Sequence, residues 1–248
     1  MSLCGRLAVV TGGASGIGRC VCVALASENA TVIVADLNLD AANAVAQSLP
    51  GSATHRGALV DVGESKSVDE LFAHIKDTEP LPVSIVVNCA AIATLSSLVD
   101  TTDEDFDNII RVNLKGTFLV TRASARAMIA SGVANAAIVN VGSLLGRTGF
   151  ANLAAYTASK GGVVALTKTA AKELGPLGIR CNAVLPSLIQ TPMGDQMPEK
   201  TRKGFSTFAA MRRIGQPEEV AAAILFLCCP QSSFVTGAAL EVTGGYAM

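Results

Sequence analysis

The sequence has no tryptophan, and its 248 residues include only two histidines (His55, His74) and two tyrosines (Tyr156, Tyr246). That scarcity excludes a mechanism built on several histidines and an aromatic platform for stacking bases. Charge is scarce too. Only 16% of residues are charged and the formal net charge is −1, so no basic excess exists to hold nucleic acid. Combined with 50% hydrophobic residues, this balance excludes disorder. Long apolar runs are also missing. The longest, Val220 to Cys229, is too short for a membrane span of roughly 20 residues. Met1 to Arg6 leads directly into a strand-like run, so no secretory signal peptide is expected. Seven cysteines are present (Cys4, Cys20, Cys22, Cys89, Cys181, Cys228, Cys229), but without a C-x-x-C and without a histidine at ligand spacing. They are expected to be buried, reduced thiols in a reducing compartment, with no metal site.

What is abundant is Ala, Val, Leu and Ile in short runs. Strands are predicted at Leu7-Val10, Thr31-Ala35, Ala58-Val62, Val83-Asn88, Ala137-Val141, Arg180-Leu185 and Leu240-Val242. Most are apolar without alternation, as expected of strands covered on both faces. Helices are predicted between them: Gly16-Ser27, Leu39-Leu49, Ser65-Lys76, Asp103-Ser131, Ala154-Leu174 and Pro217-Cys228. Thr102 with Asp105 has the form of an N-cap, and Pro217-Glu218-Glu219 places proline and two acids in a first turn. The alternation predicts one α/β domain over residues 1–248, a doubly wound parallel sheet flanked by helices. One long segment, Pro186 to Gln216, has no strand and comes after a strand carboxyl end, where such folds place ligands. Its Lys200, Arg202, Lys203, Arg212 and Arg213 outnumber Asp195 and Glu199, and residues 187–216 are read as a substrate lid.

Thr11-Gly12-Gly13-Ala14-Ser15-Gly16-Ile17-Gly18 joins the first strand to the first helix. Glycines permit a tight turn and close approach, and a helix N-terminus offers unpaired N–H groups to a pyrophosphate. Structural glycine turns look similar, and the spacing here is G-x-x-x-G-x-G. Asp36 at the end of the second strand adds weight. A carboxylate there can accept from both ribose hydroxyls of NAD and would repel a 2′-phosphate, although Asp36-Leu37-Asn38 is also turn-like. No Lys or Arg stands within the turn, nor after Asp36 before His55, so NAD is favoured over NADP. Asp61-Val62 is placed at the end of the third strand, where the carboxylate could receive the adenine amino group.

Tyr156 and Lys160 are spaced i,i+4 on one helix, one turn apart. A free tyrosine has a pKa of about 10, and a neighbouring ammonium is expected to lower it toward use as a base. Ser143, after the fifth strand, could donate to a substrate carbonyl oxygen. A lone Y-x-x-x-K is also an ordinary surface pair. Asn113 and Gly116 interrupt a predicted helix, either as a tolerated defect or as a kink whose freed carbonyl holds a water for a proton relay.

Taken together, these motifs resemble the short-chain dehydrogenase/reductase family across essentially the whole chain. The matching residues are Thr11–Gly18, Asp36, Asp61, Asn88-Cys89-Ala90, Asn113, Ser143, Tyr156, Lys160, and Pro186 with Thr191. The resemblance implies a single-domain Rossmann fold and a catalytic tetrad of Asn113, Ser143, Tyr156 and Lys160. It implies NAD held by Gly12, Ser15, Gly16, Ile17 and Gly18, by Asp36 and Leu37, and by Asp61 and Val62. Asn88, Ala90, Ile189 and Thr191 complete that set with Tyr156 and Lys160. The segments around Asn113, Arg180, Thr191 and Thr243 are most similar to the type 8 17β-hydroxysteroid dehydrogenase and 3-oxoacyl-(acyl carrier protein) reductase group. That group implies 3-hydroxyacyl/3-oxoacyl thioester or 17-hydroxysteroid substrates. It further implies a homotetramer, or a heterotetramer with a related reductase subunit, in the mitochondrial matrix; without that group the cytoplasm is expected. In such tetramers Tyr246 would be an interface residue.

Two departures bear on cofactor affinity. Ala91 stands where the family has glycine, and Ser187 comes after Pro186 where the family has glycine. The expected activity is oxidation of a secondary alcohol or reduction of a ketone. The alternatives are a non-catalytic dinucleotide-binding subunit, or a dehydrogenase of another small secondary alcohol. Leu145, Phe150, Leu153 and Met193 are candidates for an apolar pocket. Arg122, Arg126, Lys168 and Lys172 are either a solvated face or a docking patch for an acidic carrier protein or CoA phosphates.

Overall fold

Side chains alternate across β1 (Leu7–Thr11), and that alternation divides the core in two. Ala8 and Val10 face one layer, with Val32, Val34, Ile85 and Val139 beside them. Leu7 and Val9 face the other, with Ile33, Val86 and Ile138. Both layers are helix-covered, which is why the strands read as continuous apolar runs. The computed structural model describes residues 2–247.

The other strands are β2 (Thr31–Asp36), β3 (Arg56–Leu59), β4 (Val83–Asn88), β5 (Ala136–Val141), β6 (Ile179–Pro186) and β7 (Ala239–Val242). All seven are parallel, in the order β3-β2-β1-β4-β5-β6-β7. The order reverses between β1 and β4, and α/β sheets bind ligands at the carboxyl ends beside such a reversal. The helices are α1 (Gly16–Ser27), α2 (Leu39–Ser48), α3 (Ser65–Thr78), α4 (Asp103–Ile109), α5 (Thr117–Ser131), α6 (Leu145–Thr148), α7 (Ala154–Leu174), α8 (Pro192–Asp195), α9 (Glu199–Phe208) and α10 (Pro217–Cys228). Thr102 caps α4 by accepting from the Asp105 N–H at 3.1 Å, as its spacing predicts. At α10 the Glu219 carboxylate reaches back to the Gln216 N–H at 2.8 Å.

Three elements differ from expectation. β3 begins two residues before the predicted Ala58-Val62 and shares only Ala58 and Leu59 with it, because the chain leaves the sheet after Leu59 and buries Val60 and Val62 as loop wall. The predicted Asp103-Ser131 helix is α4 and α5 joined by a π-helix, Ile110–Gly116. The strandless lid contains α8 and α9, and its base is closed by a bridge between Ile189 and Gly215. All seven cysteines are free thiols, but Cys4 is exposed rather than buried. No group of three or more metal-ligating side chains exists among the described residues. No described helix is long and apolar enough to cross a membrane.

Candidate active site

A cleft of about 440 Å³ opens over the carboxyl ends of β1, β4 and β5, within the size range of cofactor sites. Its floor is the glycine turn. Gly12 and Gly16 have φ of +65° and +49°, which side chains rarely tolerate. A Cβ on Gly12 would come 2.7 Å from the Ala90 backbone, and one on Gly18 would collide with the Gly12 carbonyl oxygen. Ser15 precedes α1 without accepting a side-chain cap bond. The first amides of α1 therefore keep their donor capacity facing the cleft. Bare backbone, free N–H groups and a positive helix end fit a dinucleotide pyrophosphate.

The acidic residues sit farther out. The Asp36 carboxylate accepts from the Ala14 N–H and the Asn38 N–H, each at 3.1 Å, and it borders the cleft with the exposed Leu37. Asp61 and Val62 also reach the wall. Asp61, however, is already engaged: Arg111 Nη1 lies 3.1 and 3.0 Å from its two oxygens, and the Gly63 N–H donates to it at 2.9 Å. Ala90, Ile189 and Thr191 complete this side of the wall.

Asn88 does not join them. Its amide donates to Asn140 Oδ1 at 2.8 Å and Thr121 Oγ1 at 3.3 Å within the core, so it braces the sheet. Asn113 is likewise fully buried, behind the cleft rather than in it. Its Oδ1 accepts from the Ile92 N–H at 2.8 Å and its Nδ2 donates to the Ile92 carbonyl at 2.9 Å. The Asn113 carbonyl, expected to be free, accepts from the Thr117 hydroxyl at 2.7 Å. The π turn therefore clamps the cleft wall at Ile92.

Ser143, Tyr156 and Lys160 do meet in the cleft. Ser143 comes just after β5 and accepts from the Leu145 N–H at 3.1 Å. Lys160 Nζ lies 5.7 Å from the Tyr156 ring centre and donates to the Val141 carbonyl at 2.8 Å. Burial raises the Tyr156 phenol above its ordinary pKa, with a Ser143 hydrogen bond pulling the other way. The net direction is upward, not the lowering expected from Lys160, and the Lys160 ammonium donates to a β5 carbonyl. Burial also brings Lys160 down to about 8, against the opposing pull of Cys89. Neither histidine lines the cleft, and the His55 ring accepts from the Val32 N–H at 3.1 Å instead.

A family model described as enoyl-(acyl carrier protein) reductase, one of the short-chain dehydrogenase/reductase models, matches residues 12–247. The human (3R)-3-hydroxyacyl-CoA dehydrogenase is 42% identical over 98% of this chain and 95% of its own. The chain belongs to the short-chain dehydrogenase/reductase family. Another relative, the 3-oxoacyl-(acyl-carrier-protein) reductase FabG of Thermotoga maritima, is 40% identical over 99% of each chain. A crystal structure described as ribose-5-phosphate isomerase from Brucella melitensis 16M superimposes with a TM-score of 0.91 at 32% identity, covering 100% of this chain and 94% of that one. That name describes another reaction, so one fold serves both names.

The short-chain dehydrogenase/reductase fold absorbs both departures. Ala91 is not among the residues with positive φ, so its methyl needs no left-handed backbone. Ser187 is tied to the end of β7 through the Val242 and Thr243 carbonyls, at 3.2 and 3.3 Å. Leu145, Leu153 and Met193 line the cleft as expected, whereas Phe150 lies behind it against Phe205. Arg122 of the basic group lies over the Phe118 ring and donates to Ser65 Oγ at 3.1 Å. Ile92, Arg111, Met197 and Phe205 line the cleft without a motif that marks them in the sequence. Only Arg111 carries a signal, two residues from Asn113 on one helix.

Lys160 also leaves a signature in stability. Between pH about 8 and 10.5 the unfolded lysine holds a proton that the folded one has shed. Stability deriving from Lys160 therefore rises with pH across that window, by up to about 3 kcal/mol at roughly 1.4 kcal/mol per unit. Buried thiols such as Cys181 and Cys228, raised to about 12, act oppositely above 9. The comparison is therefore with Lys160→Met, which keeps those thiols. Urea denaturation should show the parent gaining on Lys160→Met as pH rises from about 7.5 to 9.5. Parallel profiles would contradict a depressed lysine.

Proposed function

We propose that this chain is an NAD(H)-dependent oxidoreductase that interconverts a secondary alcohol and a ketone, with 3-hydroxyacyl/3-oxoacyl thioesters as its substrates. The observation that carries the reading is the convergence of Ser143, Tyr156 and Lys160 in one cleft with the glycine turn. When bound, NAD(H) supplies the hydride acceptor or donor. The Gly16–Gly18 amides would hold its pyrophosphate, Asp36 its ribose, and Lys160 the ribose near the reacting centre. Tyr156 takes the alcohol proton during oxidation and returns it during reduction. Lys160, a buried cation below pH about 8, acts by holding the ribose, while the Ser143 hydrogen bond is what opposes the effect of burial on the Tyr156 phenol. Ser143 donates to the substrate oxygen as charge develops there. Asn113 acts through Ile92 as a positioning residue.

The substrate class rests on the names of the relatives and on an apolar half of the cleft, walled by Leu145, Leu153, Met193, Met197 and Phe205. A 17-hydroxysteroid or another small secondary alcohol is the competing occupant of the same wall. A non-catalytic dinucleotide-binding subunit would not need three reacting side chains brought together. Assembly as a homotetramer, or with a related reductase chain, is supported by Phe106 and Phe118, each 42% exposed along α4 and α5. The mitochondrial matrix is the proposed compartment, by similarity to that group.

The deciding experiment assays the purified chain with 3-hydroxyacyl thioesters and 17-hydroxysteroids, each with NAD and with NADP. Turnover of thioesters with NAD is expected. Turnover of no alcohol at all would refute the reading. Asp36→Ala is expected to narrow the preference for NAD over NADP by about tenfold or more in kcat/KM, since a carboxylate that repels a 2′-phosphate is gone. An unchanged ratio would remove Asp36 from cofactor choice.

A further inference from the structure

Phe205, on α9, is 5% exposed and forms part of the cleft wall. It is the middle ring of three. Phe150, before α7, lies against one side with centroids 5.4 Å apart and planes at 27°. Tyr246 lies against the other at 4.6 Å and 27°. Residues 244 to 246 are therefore fastened to the lid of their own molecule. Two backbone contacts keep them there. The Met211 N–H, just past α9, donates to the Gly244 carbonyl at 3.0 Å, and the Tyr246 N–H closes a turn on the Thr243 carbonyl at 3.2 Å. At the opposite end the lid narrows to a neck, where Gln190 and Gly215 pair at 2.9 Å. Phe205 faces the cleft and Tyr246, which does not line it, packs behind Phe205.

We propose that Tyr246 is a specificity-determining residue, backing Phe205 and so fixing how deep a substrate chain reaches. The inference rests on reading the apolar half of the cleft as the substrate pocket. Phe205 touches the pocket, and Tyr246 acts through it. Without the tyrosine ring, Phe205 retreats and the pocket lengthens, so long chains gain and short chains lose their wall. Differences of one methylene in an apolar pocket are worth roughly 10- to 200-fold in selectivity.

The test compares the parent, Tyr246→Ala and Tyr246→Phe in kcat/KM for 3-hydroxybutyryl and 3-hydroxydecanoyl thioesters. Trypsin nicking at Lys200, Arg202 and Lys203 reports lid opening independently of turnover. NAD affinity equal to the parent's shows that each variant is folded. In Tyr246→Ala the long-to-short ratio should rise by about tenfold or more and nicking should accelerate, while Tyr246→Phe matches the parent in both. An unchanged ratio in Tyr246→Ala overturns the proposal, whether or not nicking changes. If the parent turns over neither thioester, the substrate reading fails instead. The same ratio is then taken with a small and a bulky secondary alcohol, and nicking still decides whether Tyr246 holds the lid.

Discussion

Tyr156→Phe should lower kcat by roughly 10³-fold while cofactor affinity stays close to the parent value. The substitution removes one oxygen from a partly buried ring and keeps its packing, so the fold is retained. What disappears is the phenolic hydroxyl proposed to take and return the alcohol proton. Lys160 is anchored to the Val141 carbonyl, and both histidines lie elsewhere. Steady-state turnover with NADH-binding titrations separates the two effects, and near-parent turnover would remove Tyr156 from the reaction. The parent should also show a directional pH dependence. Burial holds the phenol above its ordinary pKa, so phenolate is the minor form at neutral pH. Oxidation, which begins from phenolate, should therefore accelerate as pH rises. Reduction begins from the phenol and should not.

Gly18→Ala should abolish measurable cofactor binding, raising Kd by about 100-fold or more. A Cβ at that position runs into the carbonyl oxygen of Gly12, a backbone atom that cannot swing aside. Overpacking of this kind costs ~1–3 kcal/mol in a rigid interior. Here the strain falls on the turn whose amides face the pyrophosphate. Thermal unfolding with and without NAD gives the readout. A saturating ligand at about 100 times Kd stabilises by roughly 2.7 kcal/mol, and that shift should vanish in the variant. Gly175→Ala is the control, since a Cβ there meets nothing within 4 Å. A full NAD-induced shift in Gly18→Ala would show that the turn does not hold the cofactor.

The legible parts of the fold are those with two-sided burial or a chemical cap. β4 and β5 are central and dry, and composition alone locates them to within a residue. β3 pairs only with β2, at the sheet edge, so its own residues carry little apolar signal. The buried Val60 and Val62 beside it supply a misleading one. In the site, the glycine turn and the Tyr156–Lys160 spacing are readable because short-range geometry dictates them. The Asp61–Arg111 pair is not, since it depends on how a loop meets a distant helix. The proton affinity of Tyr156 departs from expectation for a related reason. Sequence spacing places two side chains on one face but does not say how deeply the fold buries the phenol.

The π turn at Ile110–Gly116 also sets a phase. A π turn holds more residues than an α turn, and each extra residue rotates the downstream helix by about 100° around its axis. Upstream of it, Ile109 faces the core; downstream, Leu119 and Val120 do so again. Between them Asn113 is aimed at Ile92, and Arg111 at Asp61. The two ends of the cleft are thus indexed to a single rotation. A shift of the π turn by one residue would displace Arg111 from Asp61 and Asn113 from Ile92 together.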